Sequence, residues 1–205
     1  MKNKSEFHLS VGTSSILMIF VVLCLTTFGV LSFVTANADY KLSRKNADAV
    51  FAYYQSDSKA DELLKMIDSR LLLARESAKY CETNTDISKI PHAEQYRQNR
   101  DFRQVTALMQ TGKPSDQKAA QAYRWFVYFL LSGQNTVSME KPDSAAVNSP
   151  LQVSFAVPVS GSQRLEVTAA INPFGSTPRY KIISHKLTST LAAGEDTHIQ
   201  VWNGE

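Results

Sequence analysis

Residues 16–34 read ILMIFVVLCLTTFGVLSFV, and no charged side chain occurs between Val11 and Ala38. A hydrocarbon slab about 30 Å thick is crossed by roughly 20 apolar residues at 1.5 Å rise each. The run therefore has the length and character of a membrane-crossing helix. It places the chain at a membrane and leaves about 167 residues after position 38 for a domain with its own core.

Composition narrows the function classes further. A net charge of +3 without a basic block gives no footprint for nucleic acid. Cys24 lies inside the apolar run and Cys81 stands alone beyond it, so no disulfide framework is expected. Cys24 is not a lipid-attachment site either, because Leu23 occupies the preceding position, where a small residue is needed.

The first forty residues admit three readings. One is a cleaved secretory signal: Lys2 and Lys4, the apolar stretch, then Ala36-Asn37-Ala38 before Asp39 as an A-x-A site. Signal cores run about 7–15 residues, shorter than this one. Another is an uncleaved single-pass anchor. The third begins from the polar, basic stretch MKNKSEFHLSVG, which ends in Gly12 with Thr13 next. Orientation is not settled by charge counting: Lys41, Arg44 and Lys45 after the span outnumber Lys2 and Lys4 before it. The leader-like start favours export, with the N-terminus cytoplasmic and residues 39–205 outside.

From Val30 to Ile90 there is no proline, and none of the residues is glycine, so nothing forces a helix to stop after the membrane. Ala60, Leu64, Ile67, Leu71, Ala74, Ala78 and Cys81 follow at alternating steps of four and three, which makes one apolar helix stripe. Such a stripe packs either on the protein's own sheet or against neighbouring subunits. Tyr40, Phe51, Tyr53 and Tyr54 suit either an interfacial belt or a continuing core face. Asp57, Asp61, Glu62 and Asp68 interleave with Lys59 and Lys65, the composition of a solvated helix face.

Pro91 breaks the pattern. A second helix is expected over residues 93–110 with Gly112 as its stop, then a third over 116–132, capped by Ser115 and closed by Gly133. Residues 134–150 read as a polar connector. Beyond them the period changes to two: Leu151, Val153, Phe155, Val157 and Val159 form a first strand and Leu165, Val167, Ala169 and Ile171 a second. A third spans 180–187 and a fourth 198–202, with Pro158 marking an edge or an end. The expected fold class is α+β: a long N-terminal helix (13–38 in the membrane, 39–82 amphipathic), two further helices within 93–133, and an antiparallel sheet of about four strands within 151–203.

A glycine-ended leader, a membrane-length helix continuing into an amphipathic one, and a C-terminal antiparallel sheet together resemble the type IV pilin and pseudopilin class. The resemblance implies removal of residues 1–12 by a prepilin peptidase, packing of apolar helices with other filament or membrane subunits, and a place in a bacterial pilus or secretion apparatus. Leu17 stands where that class usually has a glutamate, Thr13 would be the first mature residue, and no cysteine-bounded loop is present. These departures suit a minor or accessory subunit better than a major one. A single-pass, membrane-tethered binding or sensory domain is the alternative.

Chemistry is hard to find in the chain. There is no phosphate-cradling glycine loop and no Gly-x-Ser-x-Gly elbow. His8, His92, His185 and His198 lack zinc-ligand spacing, although His185 and His198 are candidate cross-strand neighbours. Cys81 falls on the apolar stripe, as an inert buried thiol would, and Trp125 and Trp202 read as core. No catalytic residue, metal site, cofactor, small-molecule ligand or nucleic acid is expected. The expected partners are membrane lipid and other membrane or filament subunits. Thr26, Thr27, Gly29 and Ser32 inside the span suit either close packing on another helix or hydroxyls bonded back to their own backbone.

Overall fold

The structure is a computed structural model and describes residues 11–111, 113–142 and 150–189, with side chains from Ser14 onward. It has an α+β fold. A long helix α1 (Val11–Thr83) is followed by a 3-10 turn (Ile87–Lys89), then α2 (Ala93–Arg97), α3 (Phe102–Gln110) and α4 (Asp116–Ser132). Four strands complete it: β1 (Val137–Met139), β2 (Leu151–Ser160), β3 (Gln163–Ile171) and β4 (Tyr180–Ser189). The chain divides into two compact units, Met1–Phe51 and Ala52–Glu205. α1 is continuous through the boundary because its residues include neither proline nor, after Gly29, any glycine.

The second unit is a two-layer head. Its strands pair antiparallel in the order β1-β2-β3-β4. Leu151, Val153, Phe155 and Val157 of β2 and Leu165, Val167, Ala169 and Ile171 of β3 are all buried, alternating with exposed or half-buried neighbours. Register places Val153 opposite Ala169, Phe155 opposite Val167 and Val157 opposite Leu165, so the apolar residues share one face. That face forms a single core with α4 and with the stripe of α1. All seven stripe residues are buried: Ala60, Leu64, Ile67, Leu71, Ala74, Ala78 and Cys81. Between the two ways such a stripe can pack, the structure places it inside the protein's own core.

Two expectations need correction. The segment 93–110 is two helices, because the Asn99 side chain accepts the Asp101 N–H at 3.0 Å and turns the chain between α2 and α3. The stretch read as a connector contains β1, which pairs Val137 with Phe155 and Met139 with Val153. A three-residue strand with Val137 as its buried residue is too short to show a period of two. Among the described residues this strand makes the sheet four-stranded; the strand expected over 198–202 and the helix stop at Gly112 lie outside the described residues.

Pro158 behaves as its missing donor requires. It lies beyond the part of β2 that β1 covers, next to a register irregularity between Pro158 and Ser160. Its carbonyl accepts the Ser56 hydroxyl of α1 at 2.8 Å. Ser115 caps α4 by accepting the Lys118 N–H, and Gly133 closes it. Among the described residues β4 is an edge strand with no fully buried side chain; Ile182, Ile183 and Leu187 are exposed on it, and Lys181 and Lys186 interrupt the apolar run.

Candidate functional site: the exposed apolar helix

In the first unit, every described side chain from Ser14 to Phe51 is exposed except Cys24, which is intermediate. These include Ile16, Leu17, Met18, Phe20, Leu25, Phe28 and Phe33, each more than half exposed. An apolar surface of this extent is stable in hydrocarbon and costly in water. The helix is long and apolar enough to cross a membrane. Its backbone is self-satisfied, as hydrocarbon demands. Threonine hydroxyls within the span are satisfied as well: Thr26 donates to the Leu23 carbonyl and Thr27 to that of Cys24, both at 2.9 Å. Thr35 donates to the Leu31 carbonyl at 3.0 Å. Of the residues read in two ways, Thr26 and Thr27 have their hydroxyls bonded back to their own helix. A Cβ at Gly29 meets nothing within 4 Å, so none of the described residues requires a glycine there.

The candidate processing residues all fall on α1. Gly12 and Thr13 lie in its first turn, whereas residues 1–10 are outside the described residues. Ala36, Ala38 and Asp39 lie in mid-helix and are exposed. The aromatic residues expected to act together divide. Tyr40, Phe51 and Tyr54 are exposed, and Tyr53 packs against the core of the head.

In the head, the side chains that lock α1 to the sheet were invisible in the sequence. Arg179, just before β4, donates through Nε to Asp68 Oδ1 at 2.8 Å and through its terminal nitrogen to Oδ2, a two-pronged pair. Asp68 in turn raises the Arg179 pKa by this hydrogen bonding. His185 Nε2 lies 3.1 Å from Asp57 Oδ1. Asp57 and Asp68 therefore do not belong to a uniformly solvated face. Their partners lie more than a hundred residues away in the chain, beyond the reach of any local pattern. Arg70 donates to the Leu130 carbonyl at 2.8 Å, fastening α1 to α4. The expected neighbour of His185, His198, lies outside the described residues.

Buried polar groups are chemically quiet. Ser77 donates to the Pro91 or Leu73 carbonyl and shares a 2.7 Å hydrogen bond with the Tyr96 hydroxyl. Burial pushes the Tyr96 pKa up to about 12. Cys81 is fully buried, its thiol lies 3.4 Å from the Ser77 carbonyl, and burial raises its pKa to about 12. A thiol held protonated in this way is a poor nucleophile. Trp125 is buried beside Phe129 with ring centroids 5.8 Å apart, a core role; Trp202 lies outside the described residues. Among the described residues no group of His, Cys, Asp and Glu is placed to hold a metal ion. The polar outer face of the sheet carries an open groove of about 640 Å³ bordered by Gln134, Ser138, Ser154, Glu166 and Thr168.

Compared with family models, curated proteins and solved structures, the chain matches none. Its function is therefore argued from the exposed helix and the self-contained head alone.

Proposed function

We propose that this protein is a non-enzymatic, single-pass membrane subunit of an assembly, pilin-like in plan, in a bacterial pilus or secretion apparatus. Residues 13–38 cross the membrane, the N-terminus is cytoplasmic, and residues 39–205 form the extracytoplasmic part. The observation that carries the reading is one uninterrupted helix, apolar and exposed in its first part, then continuing into a stem buried by a sheet. Support also comes from the quiet interior, where the Ser77 and Tyr96 hydroxyls are paired and the thiol is protonated.

Sequencing the N-terminus of the membrane-extracted protein tests this reading. A start at Thr13 is expected. A start at Asp39, with the apolar helix gone, overturns the assignment. The outer-face groove supports a second reading, a tethered binding or sensory domain. That reading predicts an intact Met1 and no dependence on a peptidase.

A further inference from the structure

We infer that α1 carries a seam for a second copy of this chain, running along Phe33, Ala36, Tyr40, Ser43, Ala47 and Val50, with Asp39 of each copy paired to Arg44 of the other. The inference rests on the membrane-anchored reading, because insertion makes two copies point the same way at the same depth. Two helices held parallel and level pack through residues repeating at steps of three and four, the a and d positions of a heptad. There are seven ways to lay that repeat on residues 33–51. Asp39, Lys41, Arg44, Lys45 and Asp48 fall on the seam in six of them. Only the frame with Phe33, Tyr40 and Ala47 at a and Ala36, Ser43 and Val50 at d is free of charge.

Three further features agree with this frame. All six seam side chains are exposed, so the described residues leave the face open. The small residues Ala36, Ser43 and Ala47 lie between Phe33, Tyr40 and Val50, which lets two backbones approach while the larger side chains interleave. In a parallel pair the g position of one helix faces the following e position of its neighbour. Here that couples Asp39 to Arg44, opposite charges, twice per dimer by symmetry. An antiparallel pair gains nothing from this arrangement, and the membrane excludes it.

The test uses the full chain in phosphatidylcholine vesicles, in a Cys24→Ser background, Cys81 being buried and protonated. Two alanines two residues apart, both exposed, are exchanged separately for cysteine. Under mild oxidation Ala47→Cys, on the seam, is expected to yield at least about tenfold more disulfide-linked dimer than Ala49→Cys, which points away from it. Asp39→Arg alone and Arg44→Asp alone are each expected to weaken dimerisation about fivefold, and the two together to restore it. Equal yields at positions 47 and 49, monomer at every protein-to-lipid ratio, or a double exchange no better than the singles each overturn the inference. The last two would assign the face to lipid or to a different membrane helix. Retention in vesicles through an alkaline wash is read in parallel; release there sinks the membrane reading instead, so the two failures are told apart.

Discussion

Replacing Ile67 by alanine is the sharpest probe of where the α1 stripe packs. Ile67 is fully buried in the core shared by α1, α4 and the sheet. The exchange removes three carbons, worth roughly 0.8 kcal/mol each in transfer alone, so about 2.4 kcal/mol before any cavity forms. With partial collapse of the surroundings, the total loss is about 3–4 kcal/mol, within the range of such core truncations. In a chain of this size each kcal/mol lowers the melting temperature by about 2–4 °C, so a fall of about 6–16 °C is expected. Leu72, five residues further along α1 and 42 % exposed, is the control, with a loss of about 1 kcal/mol or less for Leu72→Ala. Both variants are melted as dilute monomers in detergent, with tryptophan fluorescence as the signal. If Ile67→Ala falls no further than Leu72→Ala, the stripe is serving contacts between chains and the packing argument is wrong.

Two other outcomes follow from the head. Cys81 has a raised pKa, from an ordinary value of 9.0 to about 12, so between those pH values the folded protein keeps a proton that the unfolded chain loses. Stability is fully present below about pH 9 and declines as pH rises toward 12, by about 1.4 kcal/mol per unit at most for this group, and Tyr96 and Tyr123 add to the decline above pH 10. A melting temperature constant across that window refutes the burial assigned to them. Asp68→Asn removes the two-pronged pair with Arg179 and, because both side chains are about a third exposed, is expected to cost only about 1 kcal/mol. High salt should shrink the difference from the parent protein in the same melts; an unchanged midpoint in low salt counts against the pair.

The periodic parts of this chain were legible because their signals are local. An uncharged run of membrane length, a stripe at helical spacing from Ala60 to Cys81, and the alternation in β2 and β3 each reflect one face meeting one environment. The two alternating strands are buried on the faces their sequence indicates, and α4 is bounded by the Ser115 side-chain cap and by Gly133. Elements without a period were not legible. β1 is three residues long, and the α2–α3 break depends on one Asn99 side-chain bond.

By itself, then, the sequence determined that this protein has an exposed apolar helix of membrane length and an α+β head, since transfer free energy and backbone periodicity act on neighbouring residues. Only the tertiary structure decided that the α1 stripe is consumed inside the head, that Asp68 and Asp57 turn to Arg179 and His185, and that Ser56 bonds to the Pro158 carbonyl. Those pairings join residues about a hundred positions apart, and no local pattern encodes which distant partner a helix face meets. That choice is made when the sheet closes on the helix and every buried polar group must find a partner within hydrogen-bond reach.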